Sequence, residues 1–225
     1  MIIGINAGHT LSGEGFGAVG YFKESTETRN LTYRVAQRLE KMGHKIIICN
    51  CDSANSQDAY LENVVYKANK QPLDLFLSIH FNAYNTYASG VEVYTYKGKI
   101  QYEGLRMLEF ISALGFKNRG LKDGTDLKVV RKTKARAVLL EVCFCDNKQD
   151  AELYKKNVDK IADAICRAIA GEETGKVDNC SNTHFEEARK KLMEIGVTDG
   201  TRPQETCTRE QVWSMLYRLM NHLKK

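Results

Sequence analysis

Two histidines stand at the ends of apolar runs, and their surroundings suggest metal chemistry. His9 follows Ile2-Ile3-Gly4-Ile5-Asn6-Ala7-Gly8, and His80 closes Leu75-Phe76-Leu77-Ser78-Ile79. An α/β sheet presents its ligands at the carboxyl ends of its strands. One such histidine alone reads as a packed side chain; two at the same sheet edge favour a bound ion. A catalytic zinc with two imidazoles commonly takes one carboxylate and leaves its fourth position to water. The nearby carboxylates are Glu14, Glu24 and Glu27. Glu24 shares the helical phase of Leu31, Val35 and Leu39 and so points with their inward face. Glu27 is out of that phase and reads as a solvated first-turn carboxylate that suits the helix dipole.

A further carboxylate, Glu141, ends the run Ala137-Val138-Leu139-Leu140. Burying it there without purpose is costly. Beside a zinc-activated water it could take a proton and hand it to a leaving amine; a structural ion pair is the alternative. Cys143 and Cys145 alternate with Glu141 along the same expected strand face, and either thiol could act as a nucleophile. No feature marks them as thiolates, and the plainer reading is small core residues. His44, after a glycine at a helix–strand turn, reads as a surface or capping residue, and His184 and His222 lie in the tail.

The elements that must position these groups follow from periodicity. Strands are expected at Ile2–Ile5, Lys45–Cys49, Leu73–Ile79 and Ala137–Val142. A less buried strand is expected where Val91, Val93 and Thr95 alternate with Glu92, Tyr94 and Tyr96. Helices are expected over about 25–42, over Asp58–Asn69, around Leu105, Leu108 and Ile111, and from Val158 to Ile169. Alternating strands and helices imply an α/β fold: a mainly parallel sheet with helices on both faces. GEETGKVDNCSN, 171–182, has no apolar period and reads as a linker. Beyond it one short helix carries Phe185, Ala188, Leu192 and Ile195. A second carries Val212, Met215, Leu216, Leu219 and Leu223, with Thr208 and Gln211 as a capping box. The expected organisation is therefore a catalytic domain at 1–171, a linker at 172–182 and a small all-helical domain at 183–225.

The 225 residues, 43% hydrophobic and 27% charged with 2 prolines, exclude collagen-like and disordered classes. No run reaches the length of a membrane span. The first residues lack the basic start and long apolar core of a secretory leader. Synthesis in a cytoplasm is expected, with the seven scattered cysteines reduced. The net charge of +5 lies wholly before residue 172, since the tail balances nine basic against nine acidic residues. That balance suits an anionic target such as nucleic acid or an acidic cell wall.

Four blocks then carry a resemblance: INAGHT around His9, the helix opening at Glu24, SIHFNA around His80, and AVLLEVCFCDN around Glu141. With GVEVYTY and LKVVRKTKA between them, residues 1 to about 170 resemble the zinc-dependent N-acetylmuramoyl-L-alanine amidases of the Amidase_3 group. That group includes phage endolysins and bacterial autolysins. The resemblance implies zinc held by His9, Glu24 and His80, with Glu141 as acid/base. Asn82, within the second histidine block, is a candidate substrate contact. The first block departs from the usual D-P-G-H-G, reading Asn6-Ala7-Gly8-His9-Thr10. Thr28 stands where the group commonly has Asn. Neither change removes a ligand. The tail resembles half of an S-layer-homology-like wall-binding motif, through G-V-T-D-G and T-R-E-Q-V, with Trp213 and Tyr217 as candidate wall contacts.

The implied activity is hydrolysis of the amide between N-acetylmuramic acid and L-alanine in peptidoglycan, after release through a separate holin-type pore. Neither nucleic acid nor membrane is expected as a partner, and the C-terminal helices are expected to pair two copies. A zinc peptidase cutting within the stem peptide and a non-catalytic wall-binding module are the alternatives.

Overall fold

A computed structural model describes residues 1–172, 190–198 and 209–223. The chain divides into two compact units, Met1–Thr174 and Gly175–Lys225. In chain order the first holds β1 (Ile2–Ala7), β2 (Ser12–Gly13), α1 (Glu24–Lys41), β3 (Lys45–Ile48), β4 (Ser53–Ala54), α2 (Gln57–Asn69) and β5 (Leu75–Asn82). It continues with β6 (Val91–Thr95), α3 (Tyr102–Ser112), β7 (Asn118–Asp123), α4 (Lys128–Lys132), β8 (Arg136–Phe144) and α5 (Lys148–Ala170). The second holds α6 (Arg209–His222). Among the described residues no helix is long and apolar enough to cross a membrane.

The six-stranded sheet runs β3-β1-β5-β8-β6-β7, and β2 pairs with β4 apart from it. Every pairing in the large sheet is parallel except that of β6 with β8. The mixed α/β architecture with helices on both faces is therefore as expected. One face packs Ile3, Ile5, Leu77, Ile79, Val138 and Leu140 against α1, α3 and α5. On α1 the inward residues Leu31, Val35 and Leu39 are fully buried, each contributing about 1.5–3 kcal/mol. The other face packs Phe76, Ala137 and Leu139 against α2 and α4. It turns polar towards the carboxyl end, where Asn6, Ser78, His80 and Glu141 lie. Capping fixes two helix starts: Ser56 Oγ accepts from Ala59 N at 3.1 Å, and Asn147 Oδ1 from Asp150 N at 3.1 Å. Gly171, at φ 80°, ends α5 in the left-handed conformation that glycine adopts without strain.

Three expectations change. First, β6 is an interior strand, because β7 covers its outer edge; Glu92 is buried where alternation suggested an exposed residue. Second, β8 bulges. His80 pairs with Glu141, yet Asn82 pairs with Phe144, so three residues of β8 oppose two of β5. The extra residue ends the alternation, and Cys143 and Cys145 pack in the α1/α3/α5 core rather than beside Glu141. Third, Glu27 is half-buried: Tyr154 Oη and Asn30 Nδ2 both donate to its Oε2, at 2.9 Å each. It ties α1 to α5 in addition to facing the helix dipole.

Candidate active site

His9, at the end of β1, has a φ of 68°, a left-handed conformation uncommon for a residue with a side chain. Its neighbours hold it there. His9 N donates to Tyr60 Oη at 2.6 Å, and Arg29 donates to both His9 O (2.7 Å) and Gly8 O (3.2 Å). Thr28 Oγ1 adds a second bond to Gly8 O at 3.0 Å. Thr28 and Arg29 on α1 thus anchor the backbone of the first histidine block.

The side chains converge. Glu24 Oε1 lies 3.2 Å from His9 Nε2 and 3.2 Å from His80 Nδ1. The three ligand atoms all lie within 4.8 Å of one another. Their orientation is fixed from behind. His9 Nδ1 is 2.9 Å from Gly15 O; a carbonyl only accepts, so Nδ1 carries a proton, and Nε2 is the ring nitrogen turned to Glu24. Glu24 Oε2 accepts from Ala18 N at 2.9 Å, and Oε1 from Phe81 N at 3.0 Å. Such backbone bonds set ligand geometry in metal sites. Four-coordinate zinc with bonds near 2.0–2.1 Å places its ligand atoms about 3.3 Å apart, which the two Glu24–imidazole separations of 3.2 Å match.

Two glycines leave room for the cluster. A Cβ on Gly8 would sit 2.4–2.6 Å from three atoms of the His80 ring. One on Gly17 would sit 2.7 Å from Glu24 Oε2 and 2.9 Å from His9. The loop that carries Gly17 is pinned at its far end, where Tyr21 N donates to Cys145 O at 2.8 Å and Gly20 passes against Cys145.

Electrostatics separate the carboxylates. Burial works against ionised Glu24, but its hydrogen bonds to His80 and His9 outweigh it and hold the carboxyl well below the usual range. Burial opposes charge on His9 too, yet the Glu24 carboxylate raises its pKa; in His80 burial wins and the pKa falls. Glu141, the register partner of His80, is raised well above the usual value by burial and then by the charges of Glu24 and Glu92. Its Oε2 is buried with no hydrogen-bond partner. A raised, unpaired carboxyl beside a metal-type cluster is a candidate proton carrier.

The family of N-acetylmuramoyl-L-alanine amidases, Amidase_3, matches residues 3–171. The chain belongs to this family. An uncharacterized protein of Clostridium perfringens is 36% identical over 183 residues, 77% of this chain and 52% of that protein. The amidase CwlM of Bacillus licheniformis is 30% identical over 160 residues, 68% of this chain and 60% of that protein. The chain spans about half the length of the first of these relatives. Among solved structures, the catalytic domain of the CD27L endolysin, described as targeting Clostridia difficile, superposes with a TM-score of 0.71 at 29% identity. That match covers 78% of this chain and 99% of that domain.

Beside the His9–Glu24–His80 cluster lies a second polar group that the sequence alone did not single out. Glu92, the register partner of Glu141 across β6 and β8, receives four donors. Asn82 Nδ2 (2.7 Å) and Tyr94 Oη (2.8 Å) reach Oε1, while Arg119 Nε (2.6 Å) and Lys122 Nζ (2.5 Å) reach Oε2. Burial opposes its charge, but Lys122, Arg119 and Tyr94 lower the pKa of Glu92 below the ordinary value. A glutamate between two valines on a strand was the available signal. Asn82, expected near substrate, spends its amide on Glu92 and its Oδ1 on Ala83 N.

Burial raises the thiol of Cys143 well above its ordinary value and pushes that of Cys145 up to about 12, so neither resembles a nucleophile. In the second unit Trp213 and Tyr217 are exposed on α6, as are Val212 and Leu216, and Leu223 just past its end is exposed too. Thr208, Phe185, Ala188 and His184 fall outside the described residues.

Proposed function

We propose that the chain hydrolyses the amide joining N-acetylmuramic acid to the L-alanine of the peptide stem, with a zinc ion held by His9, Glu24 and His80. The observation that carries this reading is the convergence of Glu24 Oε1 on both imidazoles at 3.2 Å, with the unpartnered Oε2 of Glu141 one strand away. Membership of the amidase family supports the choice of bond. Zinc bound there would act as a Lewis acid, polarising the scissile carbonyl and bringing the pKa of a water towards 7.

The protein's own groups do the rest. The proton on His9 Nδ1, fixed by Gly15 O, leaves Nε2 as the ring nitrogen turned into the site. Glu24 stays ionised because both imidazoles and two backbone amides stabilise its charge. Glu141 takes a proton from the attacking water and delivers it to the alanine nitrogen as the amide breaks. Its raised pKa makes it an effective donor in the second step. Protonation of that nitrogen lets the peptide leave as an amine rather than an unstable amide anion. The intact ligand and proton-carrier set argues against a purely binding role.

In this reading residues 1–171 are the catalytic domain, 172–182 a linker and 183–225 a wall-binding or dimerising domain that uses Trp213 and Tyr217. The protein acts on the cell wall. Purified wall is digested and the products weighed by mass spectrometry. New free L-alanine amino termini are expected; cuts only between stem residues would replace the amidase with a zinc peptidase. Light scattering of the full chain against residues 1–171 tests the pairing role, with dimers expected only for the full chain.

A further inference from the structure

Glu92 carries a single negative charge, yet two cations are bound to it. Arg119 Nε and Lys122 Nζ share Oε2, while Asn82 and Tyr94 occupy Oε1. All the accepting positions of this buried carboxylate are therefore filled. The cations have donors left. Lys122 commits one ammonium proton of three to Glu92, and Arg119 commits Nε, with Nη1 at 3.5 Å from Ser89 O. Aromatic rings hold both in place: Arg119 Cζ lies 4.9 Å from the Phe144 ring centroid, and Lys122 Nζ lies 5.7 Å from that of Tyr94. Their side chains remain 28% and 35% exposed, so a ligand can reach them. Arg119 also faces Asp150, which shares its charge. Lys122 is the better placed of the two.

The position of this pair follows from register. His80 on β5 pairs with Glu141 on β8, Glu141 pairs with Glu92 on β6, and Tyr94 on β6 pairs with Lys122 on β7. Paired residues point to the same face of a sheet, so His80, Glu141 and Glu92 form one row at the carboxyl ends of β5 and β8; Lys122 lies two residues back, opposite Tyr94, and reaches that row through its ammonium on Glu92. Adjacent strands are about 4.8 Å apart. The Lys122 ammonium, drawn onto Glu92, therefore sits roughly one strand spacing beyond Glu141.

Chemistry gives the row a direction, and this step rests on the amidase reading above. Glu141 protonates the leaving nitrogen, so the leaving amine must lie on the Glu141 side of the metal. That amine is the start of the peptide stem. An extended residue advances about 3.3 Å. A peptide running from Glu141 towards β7 thus brings a group on its second residue to Lys122. We propose that Lys122, with Arg119 beside it, forms the subsite that binds a carboxylate of the stem peptide just past the scissile alanine. Glu92 is the positioning residue that holds both cations at this spacing.

The test compares muramoyl-L-alanyl-D-glutamate with the same compound carrying both glutamate carboxylates as amides. Wild type is expected to show a KM about tenfold lower for the acid, with similar kcat, the low end of what a charge-assisted bond at a partly exposed site provides. Lys122→Met should raise the KM for the acid to that of the diamide and move the diamide's own KM less than twofold. Lys122→Arg should restore most of the preference, which separates lost charge from disturbed folding. Equal KM values in wild type, or equal losses on both substrates in Lys122→Met, would overturn the subsite. Calorimetric binding of L-alanyl-D-glutamate against its diamide keeps the two readings apart. If the protein cleaves neither muramoyl compound but binds the acid through Lys122, the amidase reading fails and the subsite stands. If it cleaves both without preference and binds both alike, the subsite fails alone.

Discussion

Replacing Gly8 with alanine perturbs the proposed metal site without removing a ligand. The new Cβ would lie 2.4 Å from His80 Cε1, 2.5 Å from Nδ1 and 2.6 Å from Nε2, whereas ordinary contact begins at 3.4 Å. The ring must therefore retreat by about 1 Å, because the Cβ is fixed to β1 and the backbones of β1 and β5 are hydrogen-bonded, Gly8 N to Ile79 O at 2.8 Å. His80 Nδ1 then leaves its position 3.2 Å from Glu24 Oε1. A displacement of that size around a reacting centre costs on the order of 10²-fold in rate, and disturbed ligand orientation about 10–100-fold in metal affinity. Gly8 does not have a positive φ, so the backbone itself tolerates alanine. Overpacking at about 1–3 kcal/mol should lower Tm by only several degrees. Zinc affinity is measured by calorimetry with a competing chelator, and activity by loss of turbidity of purified walls. The expected result is a folded protein with both quantities reduced by one to two orders of magnitude. Wild-type zinc affinity and lysis rate in Gly8→Ala would refute the placement of His80 as a ligand.

Five further outcomes are expected. His80→Ala should lose zinc and lysis together, as read by metal analysis; full zinc occupancy in that variant would sink the ligand assignment. Glu141→Gln should keep zinc but lose about 10²–10⁴-fold in turnover. In metal-free protein the same variant should be more stable than wild type at pH 7. The folded pKa of Glu141 is raised above its unfolded value, so wild-type stability falls as pH rises from the unfolded value towards the folded one; the difference in Tm should vanish below about pH 4. Thiol reagents should leave activity intact and Cys143→Ser/Cys145→Ser should still cleave wall, since both thiols are fully buried; loss of cleavage in a folded, zinc-loaded double variant would restore the thiol mechanism. Tyr154→Phe removes one of two donors to Glu27 and should cost about 1 kcal/mol, a few degrees in Tm, without a change in kcat.

The elements that hold the His9–Glu24–His80 cluster were legible because their own residues specify them. Ile2–Ala7 and Leu75–Asn82 are apolar runs, and Leu31, Val35 and Leu39 set the phase that brings Glu24 inward. Less legible were features that one strand imposes on another. Whether β6 lies inside the sheet depends on β7, whose residues NRGLKD carry little apolar signal. The bulge in β8 shows only in its register with β5, so alternation wrongly grouped Cys143 and Cys145 with Glu141. Glu27 looked solvated because its partner Tyr154 lies 127 residues away. The Glu92 group unites four donors from three strands, and the clearances at Gly8 and Gly17 are properties of folded neighbours. Local periodicity encodes none of these.

The loop pinned to Cys145 also sets an order of assembly. His9, Glu24 and His80 have all left the ribosome once residue 80 is clear, but Tyr21 N and Gly20 wait for the Cys145 carbonyl, and Ala18, which fixes Glu24, lies on that same tethered loop. About 65 further residues must emerge first, roughly 3–13 s at ordinary rates of synthesis. The centre of the sheet is likewise open until then, because β8 inserts between β5 and β6. A nascent chain therefore carries His9, Glu24 and His80 well before it carries their mould, and Glu141 arrives on the same strand that completes it.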